Sequence, residues 1–213
     1  MTRDSWIARS AQSNGGDVAR PREFDERTVL EAAIQCFWNK GYEATSIKDL
    51  VDKTGITAAS LYNAFGDKRN LFRLALDHYA SHSVGERIER FGRLGPREAI
   101  EVFFRDIVDR SLSDPNHKGC LLVNSALEVA PHDPQFQEAI SAVLRRIEDF
   151  FLACVKAGQA SGSITRHQPA RKLAQHLLAV LMGVRVLARV RPEKALLQGV
   201  VESALASLRS DSG

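Results

Sequence analysis

The chain predicts an all-α protein, with an N-terminal three-helix unit followed by a longer helical region. Three observations carry that expectation. Apolar residues recur at helical spacing along the chain, and no strand pattern or internal repeat interrupts them. Thr45 to Leu71, TSIKDLVDKTGITAASLYNAFGDKRNL, reads as two short helices joined by a tight turn with a third helix behind. At 213 residues with 44% hydrophobic content, the chain has ample material for a packed core in one domain or two.

Residues 1–22 combine Ser, Gly, Gln and Asn with scattered charge and read as a flexible basic arm. The arm ends in Arg20-Pro21-Arg22, two guanidinia on an extended backbone. That composition suits a narrow, negative minor groove, and it equally suits a solvated linker. Folding begins at Phe24-Asp25, where Asp25 is a good N-cap and Phe24 can staple onto Val29. Helix 1 runs from there to Gly41, a fitting stop.

In the next helix Ile47, Leu50 and Val51 form one apolar face, and the Thr45 hydroxyl at its start is expected to cap it and to reach a phosphate, with Ser46 beside it. Gly55 supplies a sharp turn, Ile56 plugs the junction, and Thr57 caps a short helix. The first turns of that helix present Ala58, Ala59 and Ser60, small enough for close approach to base edges. Leu61 and Phe65 turn inward, which leaves Tyr62 and Asn63 outside. A phenol can donate to phosphate, and an Asn amide can pair with adenine. Asp67 then caps another helix with Lys68 in its first turn, where the helix dipole disfavours a cation. An external anion is therefore the expected partner of Lys68.

Thr45-Ser46-Ile47, Thr54-Gly55-Ile56-Thr57, Leu61-Tyr62-Asn63-Ala64-Phe65 and Lys68-Arg69-Asn70-Leu71-Phe72 occur in an order that resembles the DNA-binding domain of the TetR/AcrR family of bacterial repressors. The family signature centres on a Leu-Tyr-x-x-Phe recognition helix followed by a lysine, and both are present. The family commonly has Gly where this chain has Ala59 and His where it has Ala64, so operator contacts credited to that His are not carried over. The resemblance covers roughly residues 25 to 76. It implies a homodimer on double-stranded operator DNA, a helical effector-binding and dimerisation domain, and release by a small molecule.

Beyond this unit, one helix is expected from Asp67 to about Glu89, linking the two regions as a lever. Helices then follow over Arg97–Leu112, Gly119–Ala130, Pro134 to about Gly158, Pro169–Arg189 and Pro192–Leu208. The last two are apolar on more than one face, as expected when one face covers the core and another meets a partner. Ala174, Gly183, Gly199 and Ala204 are small enough for helices of two subunits to come close. The resemblance implies that this pair forms a four-helix bundle between subunits. The expected division is an arm over 1–22, a helix-turn-helix domain over 23–72 and a ligand-binding and dimerisation domain over 73–213.

Lys and Arg number 29 against 26 Asp and Glu, a net charge of only +3. This is not the strongly basic balance expected of a protein held to nucleic acid by charge alone, so any such affinity must come from the placement of a few cations and helix ends. Cys36, Cys120 and Cys154 show no CxxC spacing, which argues against disulfides and zinc and for a reducing cytoplasm. The longest apolar run, Leu177 to Val184, is too short for a membrane span. No phosphate loop, nucleophile elbow or paired carboxylates suggest an enzyme, and no cofactor is expected.

Candidates for an effector pocket are Phe103, Phe104 and Phe151 as apolar walls, with Asn124, Ser125, Glu128 and His176 as polar groups. Cys120 stands at a helix start, where a redox- or metal-responsive thiol is the alternative to a buried inert one. His78 and His82, four apart, lack a third ligand nearby in sequence, and no metal is expected.

Overall fold

The protein is described here by a computed structural model covering residues 24–210. The expected basic arm, with Arg20 and Arg22, lies outside those residues. Within them the chain forms α1 (Glu26–Lys40), α2 (Ile47–Thr54), α3 (Ala58–Phe65), α4 (Lys68–Tyr79), a π-helical segment (Ala80–Gly85), α5 (Glu86–Phe91), α6 (Pro96–Ser113), α7 (Leu121–Glu128), α8 (Pro134–Ser161), α9 (Ala170–Val190) and α10 (Lys194–Ala206). No strand occurs among the described residues.

Side-chain caps set most of the early helix starts. Asp25 accepts from the amides of Arg27 and Thr28, Thr57 from Ser60 and Asp67 from Asn70. Asp133 accepts from Gln135 and Phe136, with Pro134 in the first turn of α8. The cap of α2 differs from expectation. It is Ser46, not Thr45, in a reciprocal box with Asp49. Gly55, at φ 73°, provides the left-handed turn between α2 and α3. The Phe24 ring lies 6.4 Å from that of Phe65, tying the entry of α1 to the end of α3.

The lever helix also departs from the single rod expected to about Glu89. After Tyr79 the ladder widens, and the amide of Glu86 donates to the Ser81 carbonyl five residues back. Gly85, a poor helix former, sits in this segment, and Arg87 Nη1 donates to the Ser83 carbonyl at 2.6 Å. Helical geometry resumes as α5 and ends at Phe91.

One continuous core joins the N-terminal head to the rest of the chain. At the junction, Phe72 of α4 has Phe37 at 4.8 Å, Tyr42 at 4.7 Å and Phe136 of α8 at 5.1 Å between ring centroids. Polar clasps surround this seam. Arg69 forms a forked pair with Asp133 at 2.9 and 3.0 Å, and the Glu43 amide donates to Glu128 Oε1 at 3.0 Å. The indole of Trp38 donates to the Lys118 carbonyl, and Lys118 Nζ reaches Gln35. The head is thus held by α7, α8 and the loop before α7 as well as by α4.

In the distal half, α9 packs against α6, α8 and α10. Its most apolar stretch has a mean hydropathy of 1.5, yet Leu173, Ala174, Leu177, Leu181, Val184 and Ala188 all turn into the chain's own core. Of the four small residues expected to meet a partner, Ala174 and Ala204 are buried inside the subunit. Gly183 and Gly199 are exposed, and a β-carbon at either would meet nothing within 4 Å.

Truncating Phe136, which is fully buried in the seam, removes the ring that α8 places against α4. Phe136→Ala is expected to lower unfolding stability by about 3–5 kcal/mol, read from denaturant titration by circular dichroism.

Candidate nucleic-acid interface and internal cavities

Helix α3 is anchored from below by Leu61 and Phe65, both buried, so its opposite side faces solvent as a rigid ridge. Thr57, Ala59, Tyr62 and Asn63 are exposed on it, while Ala58 and Ser60 are half-buried. Tyr62 is among the few large apolar side chains left open, at 46% exposure. The Thr57 hydroxyl accepts from the Ser60 amide and donates to its hydroxyl, closing the first turn. Ser46 is exposed, but its hydroxyl is engaged with Asp49 in the box that starts α2.

Two expected phosphate contacts are placed differently. Thr45 is 1% exposed, and its hydroxyl donates to the Gly41 carbonyl. It faces inward because the chain must turn back on itself between α1 and α2, and this bond closes the turn. Lys68 does not await an external anion. Its ammonium donates to the carbonyls of Tyr42 at 2.8 Å and Thr45 at 2.9 Å, approaches that of Glu43 at 3.4 Å and sits 4.5 Å above the Tyr42 ring. Those carbonyls offset the unfavourable helix dipole and make Lys68 the pin of the α1–α2 loop.

Electrostatics reinforce the same loop. A hydrogen bond from Lys40, joined by the Ser46 amide and hydroxyl, holds the Asp49 carboxyl far below the usual carboxylate range. The Thr28 hydroxyl and Arg27 amide lower Asp25. Burial pushes Asp133 up, but Arg69 and the α8 amides outweigh it and leave it lowered. Burial, then the adjacent His82, lowers His78.

The residues expected to line one effector pocket fall in several places. Phe104 and Phe151 are fully buried and stack at 5.7 Å, filling the core. Phe103 and Cys120 border a small internal cavity of about 20 Å³, where the thiol lies 3.8 Å from the Tyr79 hydroxyl. Asn124, Ser125 and Glu128 line an open hollow of about 510 Å³ between α1, α7 and α9. There Asn124 donates to the Lys118 carbonyl and Ser125 to that of Leu121. His176 is exposed on the outer face of α9 and belongs to none of these, because the helical period turns it away from Leu173 and Leu177. The rings of His78 and His82 stack at 4.0 Å, and Glu31 Oε1 lies 3.8 Å from His78 Nε2, a carboxylate brought in by tertiary packing. Even so, no cluster of three metal-capable side chains forms among the described residues.

A further cleft of about 320 Å³ was not anticipated. Trp38, Tyr79, Ser83, Arg87, Arg110, Ser111, Lys118 and Arg185 are part of its wall. Arg185 was legible in principle. It stands within the apolar run of α9 at the same helical phase as Leu181, Val184 and Ala188, a cation on a buried face.

Comparisons with known proteins agree with this architecture. The profile described as "Bacterial regulatory proteins, tetR family" matches residues 29–75, and the one described as "Tetracyclin repressor-like, C-terminal domain" matches residues 96–204. An uncharacterised helix-turn-helix transcriptional regulator of Bacillus subtilis, YezE, is 34% identical over 90% of this chain and 100% of its own. The transcriptional repressor ComR of Escherichia coli is 31% identical over 89% of this chain and 90% of its own. Among solved structures, a cysteine mutant of the TetR family regulator CifR in complex with 26-bp double-strand operator DNA is 35% identical. It superposes with a TM-score of 0.78 over 88% of this chain and 99% of that one.

Carboxylates with a lowered folded pKa stabilise the fold fully above their unfolded value, near 4, and lose that contribution as pH falls through the folded pKa. A histidine lowered by burial behaves likewise from about pH 6.5 downward. Thermal unfolding midpoints are therefore expected to decline gently below about pH 6.5 and steeply below about pH 4. Asp49→Asn should lower the midpoint at pH 7 and flatten the acid limb, as followed by circular dichroism.

Proposed function

The chain belongs to the TetR family of bacterial regulatory proteins, and from that membership we propose that it is a transcriptional repressor. It binds a palindromic operator as a homodimer and leaves it when a small-molecule effector occupies the C-terminal region. The observation that carries this reading is the α3 ridge, with Thr57, Ala59, Tyr62 and Asn63 exposed together on a helix whose other side is locked by Leu61 and Phe65. Tyr62 supplies a phosphate contact, Asn63 an adenine contact, and the small Ala58, Ala59 and Ser60 let the helix lie deep in the major groove. Arg20 and Arg22 add minor-groove contacts, while Lys68 and Thr45 support the loop beneath the ridge. A cytoplasmic location and a regulatory rather than catalytic role follow from the same reading.

The dimer face we assign to the outer sides of α9 and α10. Ala179, Gly183, Val186 and Val190 form an exposed stripe on α9, and Ala195, Gly199 and Ala206 one on α10. Their small size lets two helix pairs approach closely. The division into a head up to residue 72 and a ligand-binding region after it is retained with α4 shared between them, since α4 runs through that boundary.

A second reading keeps Cys120 as a redox- or metal-responsive group, favoured by its place on an internal cavity beside Tyr79 and Arg185. Oxidant or soft metal would then release DNA from the wild type but not from Cys120→Ser.

Selection from a random duplex library tests the main reading. Enriched sequences should be two-fold symmetric with half-sites one helical turn, about 34–36 Å, apart, and recovery of no enriched sequence would reject it. On the selected duplex, Asn63→Ala should cost about 1–3 kcal/mol and relax selection at one base pair. Lys68→Ala should weaken specific and non-specific binding together while leaving the salt dependence unchanged. A slope reduced by about one unit would instead reveal a phosphate contact. Gly183→Phe should shift the protein towards monomer in light scattering and reduce DNA affinity with it.

A further inference from the structure

The cleft of about 320 Å³ has an unusual balance of charge. Four cations, Arg87, Arg110, Lys118 and Arg185, line it against one carboxylate, Asp114. Asp114 is already occupied, since its oxygens accept from the amides of Asn116 and Lys118 and shape the loop. Nearby, Asp106 alone among the described residues answers Arg87 at 2.8 Å, Arg110 at 3.0 Å and Arg90 at 3.1 Å. Arg185 is 8% exposed and forms an ion pair with no carboxylate among the described residues; it donates to the Ser111 hydroxyl at 3.0 Å. Burial disfavours that guanidinium while Cys120, Tyr79 and the Asp106 carboxylate favour it without a direct ion pair, so a bound anion would be its first directly paired counter-charge.

The geometry points to this cleft as the binding site of a small organic oxyanion. Its charged end is held by Arg185, Arg87, Arg110 and Lys118, and its flat apolar body lies against Trp38 and Tyr79. Arginine forks suit the paired oxygens of a carboxylate or phosphate, and the volume falls at the small end of ligand sites. Ser83 in the same wall adds a hydroxyl, while that of Ser111 already donates to the Ile107 carbonyl and accepts from Arg185.

The position of the cleft gives the ligand leverage on the head. Lys118 Nζ donates to Gln35 at 3.1 Å and lies 4.9 Å from the centre of the Trp38 ring, while its carbonyl accepts from the Trp38 indole. An anion that draws the Lys118 ammonium into the cleft competes with the Gln35 and Trp38 contacts that fasten α1. The loop bearing Lys118 carries His117 at φ 46°, a left-handed conformation that a non-glycine residue adopts at a cost and can leave. Arg87 and Ser83 connect the same site to the π-helical segment behind α4. Only the step from occupancy to DNA release rests on the repressor reading. The site itself stands on the unbalanced cations.

Calorimetry on the full chain, without DNA, tests the site using benzoate, phenyl phosphate and inorganic phosphate, with benzyl alcohol as the uncharged control. At least one of the two aryl anions should bind and benzyl alcohol should not. Binding of inorganic phosphate as tightly as phenyl phosphate would overturn the apolar half of the site. Lys118→Gln and Arg110→Gln, both partly exposed and tolerable to the fold, should each weaken binding roughly tenfold or more. No binding by any of the three anions, or equal binding by wild type and both variants, overturns the assignment. At matched ionic strength the binding anion should lower affinity for the selected duplex by about 5- to 150-fold in wild type and by much less in Lys118→Gln. A protein that binds no DNA would defeat the repressor reading while leaving the calorimetric result intact.

Discussion

The seam where Phe37, Tyr42, Phe72 and Phe136 meet is the contact on which the remaining organisation depends. Packing Phe72 of α4 between rings of α1, its loop and α8 converts head and body into one core. Because such interiors are close-packed, displacement at one side of the seam is transmitted instead of absorbed.

Around the seam, polar contacts decide orientation. Arg69 with Asp133, Glu43 with Glu128, and Trp38 with Lys118 each join the head to a different part of the body. A backbone amide bound to a carboxylate and a forked guanidinium both have strict geometry, so together they select one docking angle from those the apolar rings allow. Gly41 is part of this fit: at φ 85° a β-carbon there would meet Glu128 Oε1 at 2.7 Å. The same closeness explains why Lys68 turns inward, since the loop carbonyls between Gly41 and Ser46 converge on the first turn of α4.

Communication between body and head consequently has more than one physical path. Helix α4 is the covalent route, but its continuation is a π-helical segment whose Ser83 carbonyl accepts from Arg87 of α5, which also pairs with the Asp106 carboxylate. The loop before α7 is the non-covalent route, and it touches α1 directly. The cationic cleft lies between these routes, with Arg87 on one wall and Lys118 on the other. Regulation by a ligand in this region therefore requires no contact with α3.

The helices outside the stretch from Ala80 to Phe91, the caps at Asp25, Thr57 and Asp67, the left-handed turn at Gly55 and the exposed residues of α3 were legible in the sequence. Each depends on neighbours within a few residues, where side-chain type and helical period settle the outcome. Ligand-lining residues were less legible. Phe103, Phe104 and Phe151 have the composition of cavity walls and of a core alike, and only the approach of α6 to α8 decides that they fill space. His176 looked available to a cavity until the period of α9 placed it outside. Arg185, Arg87, Arg110 and Lys118 are separated by up to about a hundred positions in the chain, and Lys68 finds its carbonyl partners 23 to 26 positions away. Local sequence determined which residues α3 leaves exposed. Tertiary structure alone decided where its cations gather and which of them face inward, because those contacts arise only when distant helices close on a common core.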